Sequence, residues 1–281
     1  MSLPHLESFV NPGSIEEAYA ALGPHSRPVS GGTDVMLRTP DGCTTLVDLM
    51  GLPLAEITAE AGGFRVGANA TLSAVLEHHG LAAHLRGIVP EMMVHVGSPL
   101  LRNAATLGGH LARGRMSDVV PVLVALDAEV EWYDGHYRRA PLTDFYAAGA
   151  HQNPMLITAV GIPPLPGNAA GGFHKMLRTF FDLALVNTAC VLRLDATGRV
   201  DHLRVVVGGT PALAVRVTGA EDALLGAPPG PGAFAEAAAI ARSAVETRDN
   251  SMASAEYRTQ LVGVAVERCL ARAASRLEGA S

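Results

Sequence analysis

Two clusters of glycine beside threonine are the residues in this sequence whose type and spacing could do chemistry. Gly31-Gly32-Thr33-Asp34 follows a short segment ending in Pro28-Val29-Ser30, and Thr106-Leu107-Gly108-Gly109-His110 repeats the combination further along. Glycine has no Cβ, so its backbone can approach a charged group closely. Successive N–H groups and a threonine hydroxyl can then satisfy the oxygens of a diphosphate without a lysine. Two such loops could grip one dinucleotide from both sides. A glycine pair after a strand is also an ordinary tight turn, and that reading stands beside the anion-binding one. Neither cluster ends in the Gly-Lys-Ser/Thr of a P-loop or has the Gly-x-Gly-x-x-Gly spacing of the doubly wound dinucleotide fold. A nucleotide would therefore be held by a different architecture.

Other chemistry-bearing residues read more plainly. His78, His79 and His84 lack a second ligand group at metal spacing and read as exposed histidines at helix ends. The cysteines Cys43, Cys190 and Cys269 are far apart and odd in number, which suggests neither a disulfide framework nor a thiolate-ligated cluster or zinc site. Trp132 beside Tyr133 reads as a packing or subunit-contact residue. No metal site and no catalytic residue is assigned to the chain.

The elements that must position the glycines are marked by caps, turns and periodicity. Ser14 and Glu17 have capping-box spacing, which predicts a helix over 15–22 ending at Gly23. Strands are predicted over 27–30, 44–49 and 64–68, and helices over 71–79, 87–96 and 118–126, the last with Pro121 in its first turn. Segments 128–133 and 136–142 around Asp134-Gly135 predict a hairpin with a tight primed turn. The run Ile162-Pro-Pro-Leu-Pro-Gly-Asn-Ala-Ala-Gly-Gly172 reads as a connection and marks a domain boundary. Beyond it, strands over 173–177, 187–194 and 202–207 precede alanine-rich helices over 233–246 and 253–277.

With 281 residues, 48% of them apolar and 17% charged, the chain is long enough for two folded domains. A net charge of -6 and the lack of a Lys/Arg-rich run exclude the concentrated positive field that nucleic acid or an anionic membrane requires. The first nine residues lack a secretory leader pattern and no segment has the length of a membrane span, so the expected location is cytoplasmic.

The order Asn11-Pro12-Gly13-Ser14, Gly31 to Asp34, Arg102-Asn103 and Thr106 to Gly109 resembles the FAD-binding medium subunits of the molybdenum hydroxylase family, the xanthine dehydrogenase and carbon monoxide dehydrogenase type. Asp118, Leu126 to Val130, Pro141-Leu142, Asp144-Phe145, Lys175, Arg178, Asp182, Asn187, Asp249 and Tyr257-Arg258 continue it, so the resemblance covers nearly the whole chain. Ser30 and His110 depart from the common pattern, which has alanine and asparagine there. The resemblance implies an α+β fold. A two-part FAD-binding domain of the PCMH type spans 1–165, with subdomains of 1–55 and 56–165, and a smaller C-terminal domain of strands then helices spans 172–281.

By the same resemblance, Val29, Ser30, Gly31, Gly32, Thr33 and Asp34 form the first loop on the diphosphate of a non-covalent FAD, and Thr106, Leu107, Gly108, Gly109 and His110 the second. Both would use backbone donors. Asp118 would accept from a polar group of the cofactor, with helix capping before Val119 as the plain alternative. Lys175 would lie near the flavin, while Val96 and Ile157 fall where the family places apolar residues near the cofactor, or are simply core. The implied partners are a large molybdenum subunit and a small subunit with 2Fe-2S clusters, assembled as a dimer of heterotrimers. NAD is a candidate final acceptor beside oxygen and a quinone-linked carrier. Two other readings are a self-contained FAD oxidase and a flavin-free scaffold. The glycine loops and Asp118 weigh against the scaffold, and the short C-terminal region against the oxidase.

Overall fold

The computed structural model describes residues 6–38, 42–165, 167–180 and 182–278. They divide into two compact units of three chain segments each. The first holds the chain up to Val75, Ser98–Arg113 and Ala128–Pro163; the second holds Leu76–Gly97, Gly114–Asp127 and everything from Pro164. Among the described residues no helix is long and apolar enough to cross a membrane.

In chain order the elements begin with β1 (Ser8–Val10), α1 (Ile15–Ala20), β2 (Ser26–Val29), α2 (Val35–Arg38), β3 (Thr45–Asp48), β4 (Ile57–Glu60), β5 (Gly63–Gly67) and α3 (Leu72–Glu77). Next come α4 (His79–Ala83), α5 (Ile88–Met93), α6 (Pro99–Ala104), α7 (Leu107–Arg113) and α8 (Val119–Ala125). A hairpin of β6 (Glu129–Tyr133) and β7 (Tyr137–Pro141) leads through α9 (Leu142–Ala147) to β8 (Leu156–Ile162). The remainder is β9 (Ala169–Met176), β10 (Val186–Leu194), β11 (Val200–Gly208), β12 (Val215–Arg216), α10 (Thr218–Leu224), α11 (Pro231–Ala244) and α12 (Ala255–Glu278).

The first unit carries two sheets. One is parallel, in the order β1-β3-β2, and the other is antiparallel, in the order β4-β5-β8-β6-β7. The capping box forms as its spacing predicts, since Ser14 Oγ accepts from Glu17 N at 3.1 Å. Glu17 turns back one residue further than the simplest version, accepting from Gly13 N at 2.7 Å. That cap starts α1 so that Ile15 and Ala18 bury against Val47, Leu49, Leu52 and Leu156. The hairpin departs from the expected two-residue turn. Tyr133 pairs directly with Tyr137, leaving a three-residue loop in which Gly135 takes the left-handed conformation at φ +101°.

In the second unit the antiparallel sheet runs β12-β11-β10-β9. Along α12, Val262, Ala265, Val266, Cys269, Leu270 and Ala273 are fully buried, the three-and-four spacing of a helix laid flat on a sheet. Each larger side chain among them contributes about 2 kcal/mol of burial. The expected connection over 162–172 needs correction, because residues 169–172 are buried strand. Gly171 and Gly172 are there for close packing: a Cβ on Gly171 would lie 2.8 Å from Ile88 Cβ on α5, and one on Gly172 2.5 Å from the Cys269 carbonyl on α12. β9 is a sheet edge, where such a glycine-rich strand is tolerated.

Candidate functional site

The first glycine cluster leaves β2 at the buried Val29. Ser30 Oγ donates to Asn69 Oδ1 at 2.8 Å, and Asn69 Nδ2 donates to the Leu49 carbonyl, so the end of the strand is held from two directions. Gly31 then passes so close to α6 that a Cβ would lie 1.6 Å from the Ala104 carbonyl oxygen. Gly32 turns the chain at φ +71°. The carbonyls of Gly32 and Asp34 accept from Met36 and from Leu37 and Arg38, starting α2. Among the described residues no acceptor takes the backbone N–H groups of residues 31–34 or the Thr33 hydroxyl. All four residues are part-exposed. A short arc of N–H donors with one hydroxyl is the donor set a diphosphate requires, so this loop fits the FAD that the resemblance implies.

The second cluster differs from its expectation. Residues 107–113 are helix α7, not a loop, and their first amides are already used. Leu107 N donates to the Ala70 carbonyl at 3.0 Å and Gly108 N to the Ala68 carbonyl at 2.8 Å. Gly109 N donates to Thr106 Oγ1 at 3.3 Å and His110 N to the Thr106 carbonyl at 3.2 Å. Thr106 is thus the cap of α7, buried at 3% exposure, and Leu107 is core. Gly108 permits contact with the chain beneath, since a Cβ there would lie 2.7 Å from Ala68 Cβ. Among the described residues, unengaged backbone donors are found in the first cluster, whereas the amides of residues 107–110 have acceptors within the chain. The structure does join the two, because Gly31 packs on Ala104 and Ala105, directly before Thr106. Within the cluster, Gly109 is exposed and His110 part-exposed, and further along α7 Ala112 is exposed and Arg113 part-exposed.

Asp118 and Lys175 meet each other within the second unit. Lys175 Nζ donates to Asp118 Oδ2 at 2.8 Å and to the His95 carbonyl at 2.8 Å, while Asn187 Nδ2 donates to Asp118 Oδ1 at 2.6 Å. The ammonium-bearing side chain is 2% exposed and the carboxylate 10%. Asp118 does not cap α8; Ser117 Oγ does, accepting from Val119 N and Val120 N. Asp118 and Lys175, expected as acceptor for a cofactor group and as flavin-facing charge, are thus paired with each other, with one donor on each carboxylate oxygen. Ile157 lies on β8 opposite Trp132 in the core of the first unit, and Val96 is buried in the second.

Asn69, Asn187 and Arg113 were not singled out as site residues by sequence reasoning. Asn187 appeared only as part of a pattern. Asn69 did carry a signal, a lone amide inside the small apolar run Val66 to Ala70. Arg113, at the end of α7, reaches Asp34 Oδ1 at 3.2 Å and had none. His78 caps α4 through Nδ1 and, like His84, is part-buried where full exposure was expected, while Trp132 packs on Phe145 at 5.1 Å between ring centres. Cys190 and Cys269 are buried free thiols with sulfurs 3.3 Å apart, and burial pushes the Cys269 thiol well above its usual range. No group of described residues has the makings of a metal site.

Among the described residues the chain thus presents a glycine turn with unengaged amides, packed on α6, in a mixed α/β chain of two units. Residues 5–165 match the family model for the FAD-binding domain in molybdopterin dehydrogenase, and residues 172–273 the CO dehydrogenase flavoprotein C-terminal domain. The nicotine 6-hydroxylase medium subunit of Paenarthrobacter nicotinovorans is 30% identical, over 98% of this chain and all of that one. The carbon monoxide dehydrogenase medium chain of Afipia carboxidovorans is 28% identical over 98% and 99%. In solved structures, a chain of carbon monoxide dehydrogenase from Hydrogenophaga pseudoflava superimposes with a TM-score of 0.90 at 25% identity, covering 98% of this chain and 99% of that one. The chain belongs to the family of FAD-binding medium subunits of molybdenum hydroxylase complexes, which are oxidoreductases.

Proposed function

We propose that this chain is the electron-transfer subunit of a molybdenum hydroxylase, with FAD held at the first glycine loop. The observation that carries the reading is the run of amides over residues 31–34, beside the Thr33 hydroxyl, that have no acceptor among the described residues. Val29 and Ser30 bring the loop out of the sheet, Gly31 and Gly32 allow its close turn, and Thr33 adds a hydroxyl for the diphosphate. Thr106, Leu107, Gly108, Gly109 and His110 act mainly by position: the capped, anchored helix α7 braces the loop, and of these residues only Gly109 and His110 are turned outward. Asp118, Ile157 and Lys175 keep in this proposal the cofactor-side roles that the family resemblance implies, beside the contacts each makes within its own unit.

FAD supplies a carrier that accepts electrons singly and releases them in pairs, so the protein needs no acid-base pair of its own. The substrate would be oxidised at molybdenum on a large partner subunit, and its electrons would reach this chain through 2Fe-2S clusters on a small one. The carbon monoxide dehydrogenase and nicotine 6-hydroxylase relatives support that arrangement. The family matches stop at 165 and resume at 172, which supports 1–165 and 172–281 as the inherited domains. The test is the absorption spectrum of the purified protein with chromatography of the flavin it releases. About one FAD per chain is expected. A colourless chain that does not take up added FAD would refute the assignment.

A further inference from the structure

The first loop contains a residue that should oppose its proposed ligand. Asp34 places a carboxylate at the end of an arc of N–H donors, and a carboxylate beside a diphosphate is repulsive. The structure sets two guanidinium groups on it. Arg38 pairs with Asp34 from one turn along α2, and Arg113 Nη1 approaches the same Oδ1 at 3.2 Å from the far end of α7. Asp34 is 41% exposed, Arg113 26% and Arg38 50%, so the three form a part-exposed cluster at the rim of the loop and not a structural pair in the core.

We propose that Arg113 is a positioning residue for the flavin diphosphate, neutralising Asp34 together with Arg38. The inference rests on the reading of residues 31–34 as the FAD loop. The geometry explains why the cation comes from α7. That helix is anchored at its first turn, where Gly108 lies on Ala68 and Thr106 caps it. The guanidinium at its last residue is therefore presented from a fixed base. Asp34 in turn works as a bracket: its carbonyl starts α2 and its carboxylate gathers two arginines at the place where charge is needed.

The test is FAD binding to the flavin-depleted full chain, followed by quenching of flavin fluorescence at low and high ionic strength. Arg113→Gln is expected to weaken FAD binding roughly tenfold at low salt, with the difference shrinking as salt screens the loop. The discriminating variant is the double Asp34→Asn, Arg113→Gln. Removing the carboxylate removes the reason for the guanidinium, so binding should recover to within about twofold of wild type. A merely structural ion pair predicts instead that Arg113→Gln lowers the thermal midpoint along with FAD affinity and that the salt concentration leaves the affinity difference unchanged; that result, or a double variant that does not recover, would overturn the proposal. So would an Arg113→Gln chain that binds FAD as tightly as wild type. Arg113→Lys, which keeps the charge, should lie between, and it carries the test if Arg113→Gln fails to fold. If wild type itself takes up no FAD, the flavin assignment has failed and the inference with it. If wild type binds and the double variant does not recover, only the role of Arg113 has failed.

Discussion

Replacing Lys175 by methionine removes one partner of a buried ion pair while nearly preserving the side chain's volume. Wild-type Asp118 sits at 10% exposure between Lys175 Nζ at 2.8 Å and Asn187 Nδ2 at 2.6 Å. In the variant the carboxylate keeps the neutral amide but loses the cation, and the His95 carbonyl loses its donor. Breaking a pair this deep is destabilising by about 3–5 kcal/mol, because the survivor's charge remains desolvated. For a protein of this size that is a fall in thermal midpoint on the order of 10 °C. The assay is thermal unfolding followed by far-UV circular dichroism, with Asp118→Asn in the Lys175→Met background as the companion. Neutralising both partners should recover most of the loss. An unchanged midpoint in Lys175→Met would refute the buried-pair account. A double variant no more stable than the single one would show that the loss has another cause than stranded charge.

Gly31→Ala should disrupt the loop, since a Cβ at 1.6 Å from the Ala104 carbonyl must push the segment off α6. The expected result is at least tenfold weaker flavin binding by fluorescence titration, and wild-type affinity would rule out close packing as the reason for that glycine. A second test uses pH: burial first, then Arg268, Arg272 and His95, depress the His174 imidazole to about 4. The unfolded chain then binds more protons than the folded one between about pH 6.5 and 4. Stability should therefore fall as pH drops through that window, by on the order of 2–3 kcal/mol from this group, and level off below it. Urea midpoints across that range check the slope, which His174→Phe should flatten; an equal slope in the variant would assign it to other groups.

Much of the fold was legible because its signals are local. Ser14 and Glu17 lie within one helical turn, and the alternation around Asp134-Gly135 lies within one hairpin, so the sequence shows α1, β6 and β7 directly. What was misread depends on partners distant in the chain. Gly108 and Gly109 look like a loop by helix propensity, but they lie in a helix because Ala68 is underneath. Ala169 to Gly172 look like a linker by composition, but α5 and α12 press on both faces of the strand. Asp118 and Lys175 are 57 positions apart, and nothing near either residue announces the other. At the site, the first loop and the Arg38 partner of its aspartate lie within a few residues of each other, whereas the second partner, Arg113, is far off in the chain.

The way the two units share the chain limits how a gene for such a protein can be recombined. α5 and α8 arise before residue 130, yet they pack on β9, β10 and β11, which come after 165. A single crossover between two related genes at the 165–172 joint would pair one parent's sheet with the other parent's helices. Ile88 against Gly171, Pro121 against Gly208 and Asp118 against Lys175 would all become mixed contacts. Functional chimeras should therefore need a mosaic exchange, with 76–97 and 114–127 travelling with the C-terminal segment.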